Sequence, residues 1–379
     1  MCLPVYSGGV AQKELAMKNL FKFFGIIALV AVLGLAAACS NPAGGGGGSG
    51  GSTGGGTGGG TGGGGGSLAD MGGIISIAYG GGKFVAGGIA GVIATSTNGV
   101  TWTTIANANN PLYGKNIYAI AYGSGKFVAA GSYYGNTLAY SSDGVTWTRV
   151  ADNSIFYKGN NNKDPVDIEA IAYGNGKFVA GSKYGRMAYS SNNGATWTAV
   201  ANASNPFYED NNSGDRIHGI AYGNGKFVAV GEKMAYSSDG VTWTTTDSKF
   251  GTTFIYGIAW GNNKFVAVGL NGKMAYSSDG VTWTAVTDSK FNTDAVHQIW
   301  SITWGNNKFV AGGNFGEMAY STDGVNWTAT DSKFVKNNLL DQIWGIAWGN
   351  NTFVAVGTTQ NNTLGVITTS PDGITWTKR

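Results

Sequence analysis

Residues Gly219–Thr244 read GIAYGNGKFVAVGEKMAYSSDGVTWT, and this stretch recurs along the chain. Its closing Trp returns at Trp102, Trp147, Trp197, Trp243, Trp283, Trp327 and Trp376, with gaps of 45, 50, 46, 40, 44 and 49 residues. Seven copies fill 68–379, and their spacing is that of a four-stranded propeller blade. Within a copy, strand A is the IAY or IAW run, strand B is KFVAVG, strand C is MAYSS and strand D is VTWT. Asn224-Gly225 joins A to B and Asp239-Gly240 joins C to D. Both dipeptides are signals for two-residue type I′ hairpins, which need positive φ. No stretch keeps a helical period. The sequence therefore predicts an all-β chain, a seven-bladed β-propeller of four-stranded antiparallel blades. Each blade comes from one continuous segment. Closure then rests on packing of the first blade against the last, unless Leu68–Met71 adds a strand.

The composition agrees. Of 379 residues 65 are Gly, 12% are charged, and 12 Trp, 18 Tyr and 17 Phe are present. That aromatic content excludes a disordered chain. A net charge of +3 is too small to argue for nucleic acid, and no nucleic-acid partner is expected. Three aromatic positions recur in every copy: the closing Trp, Phe84, Phe127, Phe178, Phe227, Phe265, Phe309 and Phe353 at the start of strand B, and Tyr79, Tyr122, Tyr173, Tyr222, Trp260, Trp304 and Trp348 at the end of strand A. Rings common to all blades are read as blade-to-blade packing. The glycines are read as hairpin residues. The recurrent Lys83, Lys126, Lys177, Lys226, Lys264 and Lys308 are read as a solvated, charge-mixed rim.

The run Asp143-Gly144-Val145-Thr146-Trp147 resembles the Asp-box, or BNR repeat, of sialidase-like propellers. The box positions are Asn98 and Trp102, Asp143 and Trp147, Asn192 and Trp197, Asp239 and Trp243, Asp279 and Trp283, Asp323 and Trp327, Asp372 and Trp376. Only the Asn192 copy has the full-length spacing; the others are one residue shorter. The resemblance implies a structural turn, with the acid satisfying backbone donors and the Trp packed between strands. Sialidases also use three converging Arg, a Tyr–Glu pair and an Asp acid. This domain has four Arg, namely Arg149, Arg186, Arg216 and Arg379, and that catalytic set does not carry over. A paired-carboxylate glycosidase is the alternative, built from Asp164, Asp167, Glu169, Glu209 and Asp210. With no Cys in the folded domain, and His218 two blades from His297, neither metal nor cofactor is expected.

The N-terminal part reads as an address. Met17–Cys39 has a basic start at Lys18 and Lys22, an apolar run from Phe23 to Leu35, and Ala36-Ala37-Ala38 before Cys39. It resembles a bacterial lipoprotein signal. The resemblance implies residues 1–38 as a signal peptide with its true start at Met17, and Cys39 as the lipidated residue that holds the protein to a membrane. Gly44–Ser67 contains only Gly, Ser and Thr and reads as a disordered tether, so 39–67 forms the anchor and linker. The expected location is the cell envelope, at the outer membrane, as a monomer.

Function is sought where the copies differ. One position early in strand A varies between nearly constant neighbours: Ile75, Tyr118, Glu169, His218, Tyr256, Trp300 and Trp344. In a propeller these seven would ring the mouth of the central channel. Two readings stand there, inter-blade packing or contacts for a sugar or peptide. Glu169 and His218 fall in adjacent blades and could hydrogen-bond. The D–A loops also vary: three share Asp-Ser-Lys-Phe, ending at Phe250, Phe291 and Phe334. These rings are either partner contacts or covers for their own blade edges. The overall expectation is a non-catalytic binding or scaffold module for a protein or glycan.

Overall fold

The computed structural model describes residues 72–132, 137–152, 154–158, 164–209, 214–334, 341–359 and 364–379. The expected signal segment 1–38, Cys39, the Gly/Ser/Thr run 44–67, Leu68–Met71 and Asp210 lie outside them. The described part is a seven-bladed β-propeller of four-stranded antiparallel blades, each ordered A-B-C-D in sequence. The inner strands A are Ile74–Gly80, Asn116–Gly123, Ile168–Gly174, Ile217–Gly223, Ile255–Gly261, Ile299–Gly305 and Gln342–Gly349. In blade 4 the others are Lys226–Gly231, Met234–Ser237 and Thr244–Thr245. Among the described residues no blade mixes strands from both ends of the ring.

The core lies between blades. Seven apolar clusters each join two neighbouring blades, and one of them packs Ile74, Phe84 and Trp102 of blade 1 on Ala347, Val354 and Val356 of blade 7. That cluster closes the ring. The strand A ring of each blade also lies flat over a glycine of the blade before it. A Cβ on Gly80, Gly123, Gly174, Gly223, Gly261, Gly305 or Gly349 would sit 2.0–2.1 Å from an atom of Tyr122, Tyr173, Tyr222, Trp260, Trp304, Trp348 or Tyr79 respectively. These glycines are kept for space and do not belong to hairpin turns, contrary to the sequence reading.

The A–B connection is the expected two-residue turn, with Asn224 at φ 44° and Gly225 at 74°. The C–D connection is not. Only Gly240 has positive φ, strand C ends at Ser237, and strand D begins at Thr244, after Trp243. The side chains close this loop. In blade 2 the Val145 and Thr146 amides donate to Asp143 Oδ1 at 2.8 Å each, and Gly144 N donates to Ser141 Oγ at 2.8 Å. Trp147 Nε1 donates to the Gly144 carbonyl at 3.2 Å. Asn98 accepts the same pair of amides in blade 1. Burial gives the largest single push, upward, but acceptance of several donors together outweighs it and brings Asp143 and Asp279 down to about 2.

The turn rim is stitched rather than merely solvated. Lys83 Nζ donates to the Asp143 carbonyl and Lys177 Nζ to the Asp239 carbonyl, each reaching the next blade. Asn224, Asn262 and Asn306 make the same reach to Ser278, Thr322 and Pro371 carbonyls. Asn350 Nδ2 donates to the Thr97 carbonyl at 2.9 Å, joining blade 7 to blade 1.

Candidate functional site

Every strand A carries a β-bulge at one place. In blade 4, Ile217 pairs with Gly231 and Gly219 with Val230, so His218 is the extra residue. The same irregularity falls at Ile75, Tyr118, Glu169, Tyr256, Trp300 and Trp344. A bulge leaves one residue out of the ladder and re-aims its side chain. Here it turns the variable residue of each blade into the channel. These seven, with the two residues after each, line a cavity of about 180 Å³ at the channel mouth. The structure thus brings all seven sequence-selected residues together.

The mouth has a charged arc and an aromatic arc. Glu169 of blade 3 receives Arg216 Nε at 2.9 Å on both oxygens and Arg216 Nη2 on Oε1. His218 Nδ1 lies 3.1 Å from Glu169 Oε2. Burial would raise the Glu169 carboxyl, but Arg216 and the His218 contact outweigh it and hold it at about 2. For Arg216, burial pulls its pKa down, and Glu169 more than restores it. The pair is therefore ionised at neutral pH and bidentate. From His218 onward the rings form a row: His218 to Tyr256 at 5.1 Å, Tyr256 to Trp300 at 4.4 Å, and Trp300 to Trp344 at 4.8 Å. Phe254 stacks behind Tyr256 at 6.3 Å. Trp344 Nε1 donates to the buried Thr358 Oγ1 at 3.0 Å, whereas the Trp300 indole N–H is buried with no partner. Burial raises the phenols of Tyr256 and Tyr118 above their usual value. Asn116 Nδ2 donates to the Tyr118 hydroxyl at 3.2 Å.

The expected Glu169–His218 contact is present, but sequence reasoning missed Arg216. Its only signal was its place two residues ahead of His218, on the same strand approach. Of the two readings of Phe250, Phe291 and Phe334, the structure bears out the one in which the rings fold inward and not the one in which they meet a partner. They are 1%, 6% and 4% exposed and sit in the inter-blade clusters. Leu112, Phe156 and Phe207 fill the same place in the earlier blades. The Asp-Ser-Lys-Phe run is a turn that drives the ring inward. Lys249 has φ 65°, its amide donates to Asp247 Oδ1, and Phe250 N donates to Ser248 Oγ. Among the described residues no cluster of His, Cys, Asp or Glu could hold a metal.

No family model matches the sequence, and no curated protein matches it. Among solved structures the chain is similar to YCF48 bound to D1 peptide, with a TM-score of 0.55 and 14% identity over 78% of this chain and 91% of that one. It is similar to virginiamycin B lyase from Staphylococcus aureus, with a TM-score of 0.58 and 12% identity over 79% of this chain and 95% of the lyase. The WD40 β-propeller domain of Doa1 gives a TM-score of 0.53 and 10% identity over 78% and 93%. At these identities the likeness shows the fold alone. One of these propellers is bound to a peptide and another is a lyase, so function has to be argued from the site.

Proposed function

We propose that the chain is a lipid-anchored binding or scaffold module of the cell envelope, held to the outer membrane through Cys39. Its channel mouth would meet a protein or glycan ligand. The observation that carries this reading is the convergence of seven bulged, non-repeating side chains on one cavity inside an otherwise repeating scaffold. Variable residues on a rigid frame suit recognition. The lipoprotein-like signal and the glycine tether support an anchored domain able to swing above the lipid surface. The Asp-box resemblance supports a turn role for the box residues and no catalytic one. The peptide held by YCF48 supports recognition as one use of such a ring.

A binder is favoured over a glycosidase by the state of Glu169. Both of its oxygens are engaged and its acid is strongly depressed, so it suits neither proton donation nor attack at neutral pH. The test is a ligand-induced rise in melting temperature across peptide and glycan panels, compared between the natural chain and a Trp344→Ala variant. Loss of the rise in a folded variant is expected. Turnover of a chromogenic glycoside that vanishes with Glu169→Gln would overturn the reading. Protease shaving of intact cells tests the location, because the tether is the easiest segment to cut. Loss of intact protein from unbroken cells would put the domain outside; protection until the outer membrane is breached would put it in the periplasm.

A further inference from the structure

The channel mouth carries polar groups, and the charge that lines it is already paired. Its lining contains one carboxylate, Glu169. Arg216 neutralises that carboxylate with two nitrogens, and His218 takes a further contact on Oε2. An anionic ligand would need an open cation, as bidentate recognition of a carboxylate or phosphate requires. A cationic ligand would find Arg216 already on the acid. What remains is a row of rings, His218, Tyr256, Trp300 and Trp344, in a lining that also holds Tyr118 and the paired Glu169. A cavity of about 180 Å³ is below the usual ~300–1,000 Å³ of a drug-sized pocket, so it takes one small ring or chain end.

We infer that the channel mouth recognises a single uncharged pyranose, the neutral end of a glycan. The C–H face of the sugar packs on the Trp300–Trp344 side. Its hydroxyls exchange hydrogen bonds across the channel with the Tyr118 hydroxyl, which has its own O–H to donate beside the contact it takes from Asn116. This inference rests on the binding-module reading and names the ligand class of the same site.

The test uses the full chain purified in mild detergent. The probes are methyl pyranosides of glucose, galactose, mannose and N-acetylglucosamine, with methyl glucuronide and choline as charged controls. Tryptophan fluorescence and saturation-transfer NMR report binding. At least one neutral pyranoside should bind, with an affinity that changes little between about 0.05 and 0.5 M salt, where screening differs strongly. Trp344→Ala or Trp300→Ala should weaken it by about tenfold or more, equivalent to ~1.4 kcal/mol. Trp344→Phe, which keeps a ring and the fold, should restore most of it. Binding of only the charged probes overturns the inference, as does neutral binding that survives both alanine variants. A peptide panel on the same protein separates the failures. Peptide binding that depends on Trp344, with no sugar bound, overturns the sugar and leaves the binding module. Silence from every probe on folded protein overturns both.

Discussion

The turn rim and the channel mouth are built from the same strands and obey opposite rules. On the turn rim one solution recurs: an A–B turn, an acid or amide that closes the C–D loop and, from blades 1 and 3 to 7, a Lys or Asn that reaches the next blade. At the mouth the backbone repeats, down to the bulge, and the side chains do not. The first pattern is what a ring needs to stay shut. The second is what a scaffold shows where its residues are free of a packing role. Changes on the turn-rim side of the blades should therefore cost stability in any blade, and changes at the mouth should cost binding first.

The sharpest way to break the ring is at its glycine contacts. Gly349→Ala would drive a methyl into Tyr79, where the Cβ position is 2.0 Å from the ring. Blades 1 and 7 meet there, and neither backbone strand can retreat without opening the closing cluster. A loss of about 3 kcal/mol or more is expected, at the upper end of overpacking effects. Denaturant unfolding measures it. Adding Tyr79→Ala should recover part of the loss, a coupling that a purely local backbone effect would not produce.

The box acids come next. Asp143→Ala leaves the Val145 and Thr146 amides without their acceptor and should cost about 1–2 kcal/mol. Asp143→Asn should cost far less, because Asn98 already does this work in blade 1. The two differ in acid. Asp143 and Asp279 titrate near 2 when folded, and Asp239 and Asp372 are lowered too. An unfolded Asp titrates near ~3.9, so this stabilisation is whole above about pH 4 and fades as pH falls toward 2. A melting profile of Asp143→Asn should fall less steeply over that window than that of the natural chain.

The mouth responds on a smaller scale in stability. Glu169→Gln removes the charge from a pair whose Arg216 side chain is 41% exposed. Water screens such a pair, so about 1 kcal/mol is expected and not the larger figure of a sealed ion pair. Binding should suffer more, since Arg216 is then open and the mouth gains a positive charge. Titration of methyl glucuronide checks this: the variant should bind it better than the natural chain does. Equal weakness toward charged and neutral probes would mean that Glu169 only holds the blades.

How much of this was legible follows from what each residue answers to. The blade count, the A–B turns and the recurrent rings could be read because seven copies repeat them under one local rule. The channel ring could be read because variation stood out against constant neighbours. The bulge could not, since an inserted residue in the ladder leaves no mark of its own in the chain. Arg216 pairs across blades, and no local pattern links it to Glu169 47 residues away. The inward turn of Phe250, Phe291 and Phe334 had a readable sign: Leu112, Phe156 and Phe207 occupy the same place, and a loop position that is apolar in every copy is a core position. The C–D hairpin was misread because Asp-Gly favours positive φ at both residues only when the Asp side chain has no better use, and here it closes the loop.

The smallest effect separates two reasons for one residue. Asn350 has φ 44°, where glycine is at ease, and its amide also donates to the Thr97 carbonyl across the closure. Asn350→Gly keeps the turn and loses the bond. Relief of the left-handed strain favours the variant, while the lost bond, exposed to water, favours the natural chain by about 0.5 kcal/mol. The net change should lie within about 0.5 kcal/mol of zero. The same change at Asn351, which has φ 54° and no stitch of this kind, serves as the reference. If Asn350→Gly is the less stable of the two, the cross-blade bond contributes to closure. If the two variants match, the ring is shut by the packing of Tyr79 on Gly349 and of Ile74, Phe84 and Trp102 on blade 7. The asparagines are then present only for their turns.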